Sequence, residues 1–353
     1  MNPIDERRGP HCPTTTSLIR ARGSVRRTSS IDMVWPDGMP GPLRLRGRAR
    51  DINTAEDGTV IGLAEGVVDA VVDFLGGRLL RRIETSPAVV GVQTLFGTVV
   101  GPGFRGRLDS AVPQHRDADD PLFSMLDDFP VVAMIAGHAL ASARPPDADY
   151  WSSRGAGRDL GATLARADVC AGWARGATIM NHIAAESSVP QSVGPVAPAI
   201  DADDPDGWHR IEAIEPGSMR RRRRLDLARD ATGELVVSSM FRDSFVEPDG
   251  VETIIHEYTL DARVDPVSMI VIDIHAEPRV LPWMECPSAA VSAQRLRGRT
   301  ISQLRRSVRL ELVGVSTCTH LNDALRALQD VVGLAAALPE GEQPDLGGRR
   351  DPS

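Results

Sequence analysis

The 353-residue sequence contains no lysine, so all 40 of its basic side chains are arginine. This bias is mainly a signature of GC-rich coding DNA and carries no functional weight. Cysteine is also scarce. The four cysteines are too few and too scattered for a disulfide scaffold. In a reducing compartment they would be free thiols or metal ligands, and they are Cys12, Cys170, Cys286 and Cys318.

Long apolar runs are absent as well. No stretch approaches the roughly 20 apolar residues that cross a bilayer, and the N-terminus is charged and proline-rich, unlike a secretory signal. A net charge of -8 argues against general nucleic-acid binding. The sequence therefore predicts a cytoplasmic globular protein of about two domains, with no membrane and no nucleic-acid partner. It leaves the oligomeric state open.

Several sequence motifs of large enzyme classes are missing. There is no phosphate loop, no dinucleotide fingerprint, no Gly-x-Ser-x-Gly and no His-Glu-x-x-His, so no nucleotide cofactor is predicted. The stretch LDDFP lacks the third acid of prenyl-diphosphate enzymes, because Phe129, Pro130 and Val131 follow Asp128. The run Arg220 to Arg224 could grip an anion, but on a strand its side chains alternate, so at most half could act together.

The pattern of apolar residues predicts an α+β fold, with an antiparallel β-meander, C-terminal helices and a large helical insertion. No internal repeat is evident. The predicted order of segments is a disordered N-terminus (1–23), a β-hairpin (24–61), the helical insertion (62–185), a linker (186–218), a four-strand meander followed by helices (219–338) and a disordered tail (339–353).

The stretch TCTHLNDALRAL, residues 317–328, predicts the last long helix, because leucine and alanine recur there at helical spacing. Thr319 is the expected N-cap. Cys318 and His320 would then lie at the helix entrance, where the macrodipole favours negative charge. Cys318 is therefore expected to form a thiolate, the form that binds metals, more readily than a free cysteine.

Two pieces of the chain resemble an uncharacterised bacterial family, the domain of unknown function 2889 family. One is the hairpin RRTSSIDMVW with LRLRGRARDI. The other spans residues 251–333 and includes IHEYTLDARVD, the cysteine of PWMECPSAA and the terminal CTHLNDAL. The resemblance implies a fold boundary and a few motif positions, and it brings no activity.

The C-terminal region is also similar to iron-sulfur assembly scaffold proteins. The shared order is Cys286-Pro-Ser-Ala-Ala, then Gly298-Arg299-Thr300, then Cys318-Thr-His320. This likeness implies that Cys286 and Cys318 converge in space. The scaffold's His-Cys pair is Cys-x-His here, and His256-Glu257 occupies the place of its first cysteine. The resulting set, Cys286, Cys318, His320 and His256, suits zinc, or iron as a second choice.

Catalytic roles are assigned to three residues. His256 and Glu257 point to opposite faces of a strand, and His256 is the one expected to face the site. Glu277 could act as a general base or hold an imidazole, and His320 could be a ligand or an acid/base. The structural alternatives stay open: Cys286 could fill a tight contact, His320 could bond outward, and Glu277 could be a solvated ion pair.

Large side chains on the helices of the insertion predict a substrate cleft, which would be bordered by Met125, Phe129, Met134, Trp173 and Met180. Two functions are consistent with these features. The first is an enzyme, of lyase, isomerase or hydrolase type, that acts on a small organic substrate with metal or thiol assistance. The second is a non-catalytic metal-binding or scaffold protein.

Overall fold

A computed structural model describes residues 7–39, 41–143, 166–186 and 192–338. Eight antiparallel strands form one sheet in the spatial order β4-β3-β2-β1-β5-β6-β7-β8, and helices complete the fold. The predicted α+β class is confirmed. The strands are β1 (Ser24–Val34), β2 (Leu43–Thr54), β3 (Val60–Asp73), β4 (Leu79–Ser86), β5 (Met219–Arg229), β6 (Leu235–Val246), β7 (Glu252–Val264) and β8 (Val271–Val280).

The helices pack against one face of the sheet. The α-helices in the described part of the chain are α1 (Phe104–Ala111), α2 (Pro113–Asp117), α3 (Pro121–Ile135), α4 (Gly137–Ser142), α5 (Thr178–Glu186), α6 (Leu304–Glu311), α7 (Thr319–Ala327) and α8 (Val331–Ala335). Short 3-10 segments are Val92–Leu95, Ala171–Trp173, Pro205–Gly207, Cys286–Leu296, Ile301–Gln303 and Leu328–Asp330. One continuous helical stretch, Pro121–Ser142, is long and apolar enough to cross a membrane, contrary to the sequence prediction, but 72% of its most apolar window is buried inside the protein. That burial is typical of a core helix.

The strand order reveals two related halves, because β1 to β4 and β5 to β8 extend in mirrored order from the central β1–β5 pair. Each half continues with a 3-10 segment and then helices. The β2–β3 ladder has an irregularity next to Asp51, and the β6–β7 ladder has one next to Asp243. The halves are thus related by an approximate twofold axis.

The turns after the third strands confirm the relation. Arg78 and Met269 both have positive φ, 60° and 56°, in the turns that enter β4 and β8. Beyond each fourth strand the chain returns through a glycine, Gly97 or Gly298, whose N–H donates to that strand. The sequence shows no internal repeat because the halves share backbone geometry rather than side chains.

The predicted helical insertion begins too early, because residues 62–86 form most of β3 and all of β4. Val68, Ala70 and Val72 are fully or almost fully buried at a spacing of two, which is the strand period. Their β-branched neighbours pack well on a pleated surface. Valine-rich segments fit a helical spacing as well, and pairing with β2 decides the outcome. Helices α1 to α4 lie within the rest of the predicted insertion, whose residues 144–165 are outside the described part of the chain.

The predicted disordered N-terminus and linker also differ from the structure. Residues 7–23 run along the sheet, where His11 bridges to Val280 and Thr14 donates its N–H to Glu257. In residues 192–218, Trp208 and His209 are buried against the sheet face opposite to the helices. The first six residues and the predicted tail, 339–353, lie outside the described residues.

Buried ion pairs fill the centre of the helical face, between two apolar clusters that belong mainly to one half each. The arginine run on β5 contributes to this band and to the opposite face. Arg221 and Arg223 pair with Asp243 and Asp128, whereas Arg220 pairs with Asp32. These intramolecular partners explain the run, since charges are buried only when paired.

Candidate functional site

A β-bulge on β7 positions His256. The β6–β7 register shifts between Asp243 and Ser244, so Ile255 is an extra residue and His256 lies opposite Asp243. Bulges re-aim side chains in this way and are frequent beside functional sites. The Nδ1 atom of His256 lies 3.6 Å from Oδ2 of Asp243. The bulge therefore brings an imidazole to a buried carboxylate.

The start of α7 supplies the second imidazole. This helix begins at Thr319, and its N-cap residue is Cys318 rather than the expected Thr319. His320 lies in the first turn, and its ring stacks on that of His256 with centroids 3.7 Å apart and planes inclined by 19°. One potential ligand atom from each of Asp243, His256 and His320 lies within 4.8 Å of the other two.

Electrostatics keep this cluster in a form that can bind a cation. Burial, together with the neighbouring His256, lowers the pKa of His320 well below its ordinary value. Burial raises the pKa of Asp243, but the Arg221 guanidinium outweighs this effect and the net pKa is lowered. Arg221 donates to both Asp243 oxygens, over 2.6 and 2.8 Å. At neutral pH His320 is thus uncharged and Asp243 is ionised.

Two ring nitrogens of the cluster, Nδ1 of His256 and Nε2 of His320, are shielded from solvent and have no hydrogen-bond partner within the described residues. A buried polar atom without a partner costs about 1 to 3 kcal/mol. Such an atom requires an explanation, and a bound ion is one.

Three thiols line the same cavity as the two imidazoles. Cys286 opens the 3-10 segment Cys286–Leu296, Cys318 caps α7, and Cys170 precedes the Ala171–Trp173 segment. Burial raises the pKa of Cys318 to about 11 and that of Cys286 well above its usual value. The expected thiolate at the helix entrance is therefore wrong for the protein as it stands, because loss of hydration outweighs the helix N-terminus. Metal coordination would be needed to remove these protons.

All these side chains except Asp243 border one cavity of about 260 Å³, which lies between the two halves. The structure thus brings together His256, Cys286, Cys318 and His320, as the sequence predicts. Asp243 lies next to His256 and forms the potential metal-binding group with His256 and His320, and this group contains no cysteine.

Only two of the five residues predicted to border the substrate cleft line the cavity. Met134 and Trp173 line the cavity, but Met125, Phe129 and Met180 are core residues that do not. Phe129 stacks on Phe104, with ring centroids 6.0 Å apart. A methionine or phenylalanine on an apolar helix face can pack in the core instead of lining a cleft, because contact with the sheet also buries it.

The two carboxylates near the predicted site have other partners. Glu257 is fully buried and accepts from Arg242 on the face away from the cavity, so the choice of His256 over Glu257 agrees with the structure. Glu277 is exposed on β8, pairs with Arg279 and does not line the cavity. The structure therefore does not support the catalytic role predicted for Glu277, because the position of Glu277 on its strand directs the side chain to solvent.

Sequence reasoning missed Asp243 as a site residue and treated His138 and Cys170 only as core or pocket residues. His138 lines the cavity, and burial lowers its pKa to about 4. Asp243 could not be found, because a bulge depends on pairing between strands. An Asp between two phenylalanines on a strand is the available signal, and it is weak.

Residues 219–333 match a family model described as Protein of unknown function (DUF2889). The match covers about a third of the chain and includes both histidines, Asp243, Cys286 and Cys318 of the site. It supports the family resemblance of residues 251–333, whereas the N-terminal hairpin lies outside the match. No match was found among curated proteins or among solved structures.

Proposed function

We propose that this protein is an enzyme that uses a divalent metal ion, held by His256, His320 and Asp243, to act on a small organic molecule in the adjoining cavity. The observation that carries the proposal is the pair of stacked, half-buried imidazoles beside an ionised carboxylate, each with one solvent-shielded ring nitrogen that has no hydrogen-bond partner among the described residues. Two histidines and a carboxylate suit iron(II) and zinc.

An ion is the simplest stabilising partner for this arrangement. An imidazole must be neutral to bind a metal ion, and the lowered pKa of His320 meets that requirement. Arg221 fixes Asp243 through two hydrogen bonds, and Asp243 adjoins His256. Carboxylates that orient a ligating histidine are common around metal ions. Asp243 therefore serves either as a ligand or as the partner of His256.

The cavity supports catalysis rather than structural metal binding. Small-molecule sites are largely apolar clefts with a few placed polar groups, and this cavity combines the side chains of Trp173, Trp283 and Met134 with the two imidazoles. A metal ion here could polarise a carbonyl or activate water, which suits a lyase, isomerase or hydrolase. His138 also lines the cavity, and the nearby His256 contributes to its lowered pKa, so His138 is a candidate for proton transfer.

A non-catalytic metal-binding or scaffold protein is the second candidate, and the thiols favour it. Cys170, Cys286 and Cys318 all line the cavity, and Cys286 responds electrostatically to the other two. A site that recruits these thiols would resemble the ligand sets of iron-sulfur assembly scaffolds. The two candidates differ in which residues hold the metal.

Metal content of the purified protein, measured by mass spectrometry of the element, tests the proposal. We expect about one ion per chain for a single site, lost in His256→Ala and in His320→Ala. His275→Ala is the matched control, because His275 is an exposed histidine on β8. It should keep the wild-type content.

Cysteine variants separate the two candidates. Cys286→Ser and Cys318→Ser should keep the ion if the histidine and aspartate group holds it, and should lose it if the thiols do. Cys12→Ser is the control, since Cys12 is exposed and does not line the cavity. Wild-type protein that takes up no zinc or iron after incubation and desalting would rule out both forms of the proposal.

A further inference from the structure

A second cavity lies on the sheet face opposite to the helices. Its volume is about 200 Å³, and it is bordered by β1, β2, β3 and residues of the segment that precedes β5. Arg44, Arg46 and Arg48 alternate along β2, so their side chains project from one face of the sheet. Gly47, between them, adjoins Met125 of α3 on the other face. The sheet therefore separates this arginine cavity from the cavity of the proposed metal site.

The acids of the arginine cavity do not neutralise its arginines. Among the described residues, four arginines and three acids line it. The acids are divided among six guanidinium groups in all, because two of their partners lie outside the cavity. The ion pairs are Asp69 with Arg44 and Arg82, Glu212 with Arg48 and Arg210, and Asp32 with Arg220. Arg46 is absent from these pairs.

Arg46 is the cation without a counterion. Its side chain is half-buried, its Nε atom is shielded from solvent, and it makes no hydrogen bond or ion pair with the residues that the structure describes. Its cross-strand neighbours, Asp32 and Asp69, bind other arginines. A charge removed from water without a partner is costly. An anion in the cavity would therefore stabilise this guanidinium.

A neighbouring histidine also reports the positive charge of this region. Burial lowers the pKa of His209 to about 3, and nearby arginines, including Arg48, contribute to the shift. His209 precedes Arg210 and contacts Ser30, which lines the cavity. The protein as a whole has a net charge of -8, so a positive cavity runs against the average. A cleft lined mainly by one sign of charge concentrates ligands of the opposite sign.

The repeated fold does not require these arginines. Counted from the aspartates beside the two bulges, the corresponding positions of β6 hold Val236, Ser238 and Met240. Met240 is buried in a small apolar cluster with Trp208. The second half thus packs apolar side chains where the first half has a charged cavity, and packing alone does not explain the arginines.

We propose that the arginine cavity binds the phosphate group of a small molecule, with Arg46 as its main partner and Arg48 and Arg210 beside it. A guanidinium matches phosphate oxygens with two parallel hydrogen bonds. Arg48 and Arg210 are 45% and 82% exposed, so both can turn from Glu212 toward a ligand. The group would arrive as inorganic phosphate or as a phosphate ester. This site is independent of the proposed function.

Titration calorimetry in a phosphate-free buffer tests the proposal, with inorganic phosphate and methyl phosphate as probes. We expect at least one probe to bind the wild-type protein with a Kd below about 1 mM. Sodium chloride should weaken the binding, because it screens the exposed arginines. The probe that binds more tightly identifies the source of the phosphate group.

Arg46→Gln should weaken binding by at least about tenfold, since a hydrogen bond to a charged group is lost. Arg46→Lys should restore part of the affinity, because it keeps the charge but not the fork of donors. Arg210→Gln, at an exposed position that does not affect folding, should weaken binding by about twofold to fivefold. Arg229→Gln is the matched control, because Arg229 is exposed on β5 and does not line the cavity.

Thermal unfolding gives a second readout, because phosphate should raise the melting temperature of the wild type and leave that of Arg46→Gln unchanged. Three results would overturn the proposal: no binding of either probe at millimolar concentration, wild-type affinity in both Arg46→Gln and Arg210→Gln, or loss of phosphate binding in His256→Ala. The last result would assign the phosphate to the metal site.

Discussion

The two halves of the sheet have the same backbone but different chemistry. In each half an arginine on the first strand holds an aspartate on the second strand beside a bulge, as Arg27 with Asp51 and Arg221 with Asp243. The residue opposite that aspartate is Ala64 in the first half and His256 in the second. The scaffold thus fixes a position, and the side chain at that position decides whether it can bind a ligand.

The helix starts show the same contrast. The second residue of α3 is Leu122, and the second residue of α7 is His320. Leu122 packs so closely on Gly66 that a Cβ atom added to Gly66 would lie 2.8 Å from the Cγ atom of Leu122. At this position the first half is filled by packed side chains, whereas the second half borders the cavity. The first half therefore contributes stability and one wall of the cavity.

The largest expected effect comes from removing the aspartates beside the bulges. Asp243→Ala leaves Arg221 buried without its main partner, whereas Asp51→Ala leaves Arg27 with Asp330, which lies 3.1 Å away. Breaking a buried pair costs about 3 to 5 kcal/mol. We expect a loss of this size in Asp243→Ala and a smaller one in Asp51→Ala by urea unfolding, and loss of metal only in Asp243→Ala.

Asp273→Ala provides the reference for that comparison, because Asp273 is more than half exposed on β8. Its unfolding free energy should stay within about 0.5 kcal/mol of the wild-type value. Equal metal loss in Asp51→Ala and Asp243→Ala would show that metal content follows stability, and it would remove the distinction between the halves.

Leu321→Ala separates packing from ligand binding within the second half. Leu321 is fully buried beside His320, so truncation should cost about 2 to 5 kcal/mol. The folded fraction should still bind metal, since His320 and His256 remain. Thermal unfolding with and without chelator measures both effects. An intact melting temperature together with lost metal would contradict this assignment.

The sequence predicts the second half of the fold better than the first. Turn signals between β5, β6, β7 and β8 indicate a meander, which the structure contains. The valines of β3 fit both strand and helix periods, and only pairing with β2 decides between them. The predicted hairpin, the start of the predicted insertion and the meander were separate pieces in the sequence, whereas long-range strand pairing joins them into one sheet.

The site shows a similar limit. The likeness to iron-sulfur assembly scaffold proteins implies that Cys286 and Cys318 converge, with His256 and His320 added to the predicted ligand set, and all four residues line one cavity. The role of Asp243 depends on the bulge, which no local pattern reveals. The thiolate prediction for Cys318 failed for a physical reason: a helix end contributes about 0.3 to 1 kcal/mol, while burial shifts the pKa to about 11.

The two halves can also be compared on the sheet face opposite to the helices, which is crossed by the segments that precede β1 and β5. His209, before β5, lies between Thr28 and Ser30, at 3.0 and 2.7 Å from their hydroxyl oxygens. Burial, with nearby arginines, lowers its pKa to about 3. The unfolded chain binds this proton more readily, so stability present above pH 6.5 is lost as the pH falls toward 3.

We therefore expect the wild type to lose on the order of 2 kcal/mol more than His209→Gln between pH 7 and about pH 4.5. Glutamine can still exchange hydrogen bonds with both hydroxyls, so the variant should fold. Urea unfolding at the two pH values measures the difference. Parallel losses in both proteins would show that His209 does not contribute to acid sensitivity.

The smallest effect is expected for Glu277→Gln. Glu277 and Asp243 are both carboxylates on strands of the second half, but the Glu277 side chain is 54% exposed and its partner is the neighbouring Arg279. An exposed pair of this kind contributes about 0 to 1 kcal/mol. We expect the unfolding free energy to change by no more than about 0.5 kcal/mol, with wild-type metal content. Loss of metal in a stably folded Glu277→Gln would contradict the placement of the site at the bulge, because it would show that the outer strand β8, rather than the Asp243–His256 pair, controls metal binding.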